Sequence, residues 1–73
     1  MMGDEKDVEK SYSNSEVVAK LRRLADALEE GKTFEIQIAG ERIYIPSHAT
    51  VEFEYERRGE EDEVEIELKW KRQ

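Results

Sequence analysis

The sequence predicts an α+β fold: one N-terminal helix packed on one face of a four-stranded antiparallel meander, in two layers. Three observations predict it. From Val17 to Leu28 apolar residues recur at helical spacing. After Gly31 the period drops to two. Near the C-terminus the alternation is strict, with Val64, Ile66, Leu68 and Trp70 on one parity and Glu63, Glu65, Glu67 and Lys69 on the other. Side chains of a strand point to opposite faces with period two and those of a helix recur every 3.6 residues, so each period assigns its element.

The elements follow in order. Residues 1–7 are polar and unpatterned and read as a disordered N-terminus, with residues 8–73 as a single domain. Val8, Lys10 and Tyr12 alternate weakly, making residues 8–12 a candidate fifth, edge strand. Ser13-Asn14-Ser15-Glu16 fits a capping box, with Ser13 as N-cap and Glu16 at N3, and Tyr12 and Val17 stand at the hydrophobic-staple positions. Val17, Val18, Leu21, Leu24, Ala25 and Leu28 then share one helix face. Glu16–Lys20 and Arg22–Asp26 have the spacing of i,i+4 ion pairs. Gly31 is the expected stop.

Phe34, Ile36 and Ile38 alternate with Glu35 and Gln37 on a first strand. Ala39-Gly40-Glu41-Arg42 reads as a tight hairpin, Gly40 taking positive φ. Ile43 and Ile45 continue a short second strand, which Pro46 ends because it has no N–H for the ladder. Residues 50–57 form the third strand, 58–61 a turn, and 62–71 the fourth. One helix about 10–12 Å across cannot cover four strands at about 4.8 Å spacing, so part of the apolar face is left for the N-terminal segment, Trp70 or a second copy.

Composition narrows the function. With 73 residues the chain is near the lower limit of unaided folding. The absence of cysteine excludes disulfides, thiolate metal sites and cysteine nucleophiles. No apolar run approaches a membrane span and no signal-peptide core is visible, so the expectation is a cytoplasmic protein with no membrane association. Acids outnumber bases 19 to 12, for a net charge of −7, and 42% of residues are charged. A phosphate backbone meets net repulsion from such a chain, so nucleic acid is disfavoured as a partner.

The sequence resembles the amphi-Trp domain family of small prokaryotic, largely archaeal proteins. The stretches that carry the resemblance are Leu21-Arg22-Arg23-Leu24-Ala25-Asp26-Ala27-Leu28-Glu29-Glu30-Gly31 and Val64-Glu65-Ile66-Glu67-Leu68-Lys69-Trp70. Ile45-Pro46 and Val51-Glu52-Phe53-Glu54-Tyr55-Glu56 lie between them. The resemblance implies the fold. The family has no established activity, so it implies no catalytic residue and no cofactor.

The strongest functional candidate is a carpet of glutamates. If the last two strands form a hairpin, Glu52 faces Glu67, Glu54 faces Glu65 and Glu56 faces Glu63. Like charges opposite one another destabilise a sheet, so such pairs either attract cations or rely on solvation. The face fits a basic protein surface, a second copy of the chain as a homodimer, or less well a divalent cation, because a flat sheet splays carboxylates that Ca²⁺ needs convergent. The plainer reading is solubility and protection against edge aggregation. Trp70 shares the apolar parity and reads first as core, second as the floor of a ligand site. His48 is a lone histidine in a loop without a nucleophile–base geometry. Lys20-Arg22-Arg23, Arg57-Arg58 and Lys69-Lys71-Arg72 read as salt-bridge partners for the glutamates. The expectation is a non-enzymatic interaction module without cofactor, binding protein or itself through the acidic face. The alternative is a small protein that binds a ligand or divalent cation near Trp70 or the glutamates.

Overall fold

A computed structural model describes residues 5–72 and shows an α+β chain: helix α1 (Asn14–Glu30), then strands β1 (Phe34–Ile38), β2 (Glu41–Ile45), β3 (Thr50–Arg58) and β4 (Glu61–Lys69). Of the residues read as a disordered N-terminus, 1–4 lie outside the described ones. No helix among the described residues is long and apolar enough to cross a membrane.

The helix begins where local chemistry dictates. The Glu16 amide donates to Ser13 Oγ at 3.3 Å, and the Ser13 amide donates to Glu16 Oε1 at 3.1 Å. Both orphan donors are satisfied reciprocally, as a capping box requires. The bonds from Ser13 hold the Glu16 carboxyl below its usual range. At the other end Gly31 takes φ 65° and ψ 36°. Lys32 N–H then reaches Ala27 O at 2.9 Å, which closes a Schellman motif.

The segment before the helix differs from the sequence expectation. Residues 8–12 take no regular secondary structure, so the fifth strand does not form. Tyr12 is engaged otherwise: its hydroxyl donates to Gln37 O at 3.2 Å and accepts from the Ala39 amide at 3.3 Å. A side chain that satisfies the β1 end and its turn replaces the ladder an edge strand would have made. Lys20, placed by spacing to pair with Glu16, lies over the Tyr12 ring, 4.7 Å from its centroid. Lys6 pairs with Glu41, tying the segment to β2.

Strands β1 and β2 pair antiparallel with Phe34 opposite Ile45, Ile36 opposite Ile43 and Ile38 opposite Glu41. Phe34 and Ile45 are 6% and 8% exposed, and they are the core. Helix α1 packs on β1, with the Arg23 guanidinium 5.7 Å from the Phe34 ring centre. The loop is only Ala39-Gly40, both at positive φ (51° and 80°), the primed turn that matches strand twist.

Strands β3 and β4 form a second, separate antiparallel ribbon. The register places Glu52 opposite Glu67, Glu54 opposite Glu65 and Glu56 opposite Glu63, as the alternation predicts. The ladder runs one pair further toward the loop than expected, to Arg58 and Glu61, and β4 stops at Lys69 instead of continuing to residue 71.

The expected single four-stranded meander is therefore replaced by two two-stranded sheets. Parity explains the break. Residues directly opposite in an antiparallel pair share a face, and a slip of one residue swaps faces. The connection, residues 46–49, is closed by a hydrogen bond from Ala49 N–H to Pro46 O at 3.1 Å. Pairing β2 with β3 across those four residues would set Ile45 against Thr50 and Ile43 against Glu52. Apolar and acidic parities would then mix on both faces. Among the described residues the β3–β4 ribbon makes no packing with α1 or β1 comparable to that between α1 and β1.

The consequence is an open molecule. A folded 8.6 kDa monomer exposes about 4,700 Å², whereas this chain exposes 6689 Å². Its Cα radius of gyration is 14.1 Å against about 11 Å for a compact chain of this length.

Ala39 is a non-glycine residue in left-handed backbone, a conformation that costs an alanine about 1 kcal/mol and that asparagine tolerates better. Ala39→Asn is expected to stabilise the fold by about 0.5–1 kcal/mol, read as a higher urea midpoint at unchanged slope. A lower midpoint would show that the β1–β2 turn has another conformation.

Candidate functional site

The alternation of β3 and β4 gives their ribbon two chemically distinct faces. One carries Thr50, Glu52, Glu54, Glu56 and Arg58 from β3, with Glu61, Glu63, Glu65, Glu67 and Lys69 from β4. Seven glutamates against Arg58 and Lys69 leave that face at net −5. The other carries Val51, Phe53, Tyr55 and Arg57 against Leu68, Ile66, Val64 and Asp62, and is neutral.

The six glutamates singled out by the sequence lie on one face of the ribbon. Three are neutralised in part: Arg58 Nη2 lies 2.7 Å from Glu56 Oε2, and Lys69 Nζ lies 3.6 Å from Glu52 and 3.4 Å from Glu67. Glu67 raises the affinity of Lys69 for its proton. Glu54 and Glu65, the central pair, meet no base among the described residues. The hydrogen bond Glu65 shares with Glu54, reinforced by the charge of Glu63, lifts the Glu65 carboxyl above its usual 4.5.

Glu54, Glu65 and Glu67 also bring one carboxylate oxygen each within 4.8 Å of one another. Ca²⁺ takes six to eight oxygens. Three carboxylates on an open sheet supply about half of that shell.

Trp70 belongs to a different place. It follows the end of β4, half-buried, and lines an open groove of about 360 Å³ with Tyr44, Pro46, His48, Lys71 and Arg72. His48 sits in the β2–β3 connection, as its sequence context predicts. Sequence reasoning missed Tyr44; its one visible signal is an aromatic on the polar parity of a short strand beside Pro46. The tip interaction was also missed. Tyr55 Oη donates to Asp62 Oδ1 at 3.1 Å, and Arg57 Nε donates to both the same carboxylate and the phenol oxygen at 3.1 Å.

Neither face of the ribbon is covered along its length: Val51 and Leu68 on the apolar face are half-buried, and Glu52, Glu54, Glu61, Glu63 and Glu65 on the acidic face are exposed. On the apolar face Phe53 is 74% exposed and Val64 68%, while Glu56 and Glu67 across the sheet are half-buried. Both faces of the ribbon are open to contact.

These features define a small α+β protein whose chemistry is concentrated on one amphipathic β-ribbon followed by a tryptophan. The chain belongs to the Amphi-Trp domain family, whose model it matches over residues 2–73. No curated protein and no solved structure matches it.

The like-charge pair gives a pH signature. Because the Glu65 carboxyl binds its proton more tightly folded than unfolded, the native state holds more protons between the usual carboxylate value and the raised one. Its contribution to stability is then full below the usual value and lost as pH rises through the raised one. Glu65→Gln is expected to raise Tm by roughly 1–5 °C at neutral pH, and the gain should shrink toward zero near pH ~4. Calorimetry across that range checks it; a gain independent of pH would mean the two carboxylates do not meet.

Proposed function

We propose that the chain is a non-enzymatic protein-interaction module that binds a basic protein surface through the acidic face of the β3–β4 ribbon. The observation that carries this reading is the central Glu54–Glu65 pair. Two carboxylates sit opposite one another at the middle of a face of net −5, with no base beside either among the described residues, and their mutual repulsion leaves room for a partner's cation. A lysine or arginine from a partner relieves that repulsion, and the field of the whole face steers the encounter. The strands fix the carboxylates at the regular spacing of a ladder, so recognition needs an equally regular basic surface. A carpet kept only for solubility has no need to concentrate seven glutamates on one face of one ribbon.

A second reading, a small-ligand site, rests on the groove beside Trp70, where Tyr44 and Pro46 supply apolar contact and Lys71 and Arg72 supply positive charge. A ligand seated there shifts Trp70 fluorescence, whereas a partner held on the acidic face leaves it unchanged.

Affinity capture from the native cell extract, nuclease-treated, tests the proposal. A protein retained by the wild-type chain at low salt should be released at high salt, because exposed charges are screened. Glu54→Lys/Glu65→Lys should reduce its retention at least about tenfold with the far-UV dichroism unchanged. Retention unaffected by charge reversal would remove the acidic face from the function.

A further inference from the structure

We infer that the groove beside Trp70 takes a planar ring carrying a phosphate monoester, in kind a nucleoside monophosphate. The ring lies against Trp70 and Tyr44, and the phosphate is held by Lys71 and Arg72. The inference rests on the small-ligand reading of that groove and is independent of what the acidic face binds.

Charge selects the phosphate. Of the bases near the end of the sequence, Lys69 is occupied by Glu52 and Glu67. Lys71 and Arg72 meet no carboxylate and lie over no aromatic ring among the described residues. No acid lines the groove, so these two side chains give it a charge of +2 on a chain of net −7. Glu35, opposite Tyr44 in the β1–β2 register, is already neutralised by Arg42 at 2.9 Å. A phosphate monoester carries about −1.5 to −2 at neutral pH, which matches two cations where a carboxylate matches one. A guanidinium also grips phosphate oxygens in pairs. Acids beyond the screening length of about 8 Å weigh little on a small ligand, whereas a phosphate polymer crossing them is repelled.

Lining and size select the ring. Tyr44 leaves 57% of its surface in water, on the polar parity of β2. Pro46 and the half-buried Trp70 complete the apolar lining, and the His48 imidazole adds a hydrogen-bonding group. The Thr50 hydroxyl donates to Lys69 O at 3.4 Å, which fixes the start of the Trp70 stretch against the head of β3. The groove is thereby built between that stretch and the 46–49 connection. Stacking on an aromatic side chain asks of a ligand only a π-face, so any nucleobase serves. A volume of about 360 Å³ is at the small end of ligand sites, about 300–1,000 Å³. It suits one ring with one phosphate better than a run of nucleotides.

Trp70 is the only tryptophan in the chain, so its fluorescence reports this groove alone. Adenosine monophosphate should change Trp70 emission saturably. Adenosine should bind at least about tenfold more weakly, because it forgoes the charge-assisted hydrogen bonds. Lys71 and Arg72 are exposed, so Lys71→Gln/Arg72→Gln should keep the far-UV dichroism. That variant should weaken the monophosphate about tenfold or more and leave adenosine unchanged. Tyr44→Ala should weaken both probes, and Glu54→Lys/Glu65→Lys should weaken neither. Equal binding of adenosine and its monophosphate, or saturation by inorganic phosphate at the same concentration, would overturn the inference and leave the small-ligand reading standing. A Trp70 signal unmoved by either ring probe would end both.

Discussion

The parity of the connection between β2 and β3 is the constraint on which the rest of the structure depends. Four residues, closed by the Ala49–Pro46 hydrogen bond, put Ile45 in step with Thr50. A sheet continued across that turn would set Glu52 beside Ile43 and mix acidic and apolar parities on both faces. The chain therefore builds two ribbons instead of one sheet. One is covered by α1, which packs on β1 beside Phe34; the other has no such layer over either face among the described residues.

That division sorts the charge as well as the shape. The helix–β1–β2 unit holds the only two buried hydrophobic residues among those described, and the β3–β4 ribbon holds the densest array of like charge. Repulsion across the glutamate ladder is tolerable because the side chains are long and largely in water, and because Arg58 and Lys69 neutralise its two ends. Its centre is left unneutralised. That unneutralised centre is the part of the face on which the proposed binding of a basic surface depends.

The parts of this fold that local chemistry decides were legible in the sequence. Ser13 and Glu16 announce the helix start, and Gly31 its end. Alternation together with Gly59 sets the β3–β4 register, and with it all three glutamate pairs. What was not legible depends on contacts between distant segments. The alternation of Val8, Lys10 and Tyr12 suggests a strand, but the Tyr12 hydroxyl is better used on Gln37 and Ala39. Gly40 is an evident turn residue, whereas nothing local marks Ala39 as its left-handed neighbour. The expectation of a meander followed from short connections alone. The length of the 46–49 connection was in plain view, and only counting its parity against the two strand patterns shows that it disfavours the join. Trp70 carries the apolar parity of β4 yet lies beyond its end, because the ladder stops at Lys69.

The central claim is that β3–β4 stands apart from β1–β2 within one chain. Nuclear Overhauser spectroscopy on the labelled protein tests it directly. The account predicts cross-strand contacts within β1–β2 and within β3–β4, with no amide pairing between β2 and β3. Pairing of β2 with β3 would contradict it.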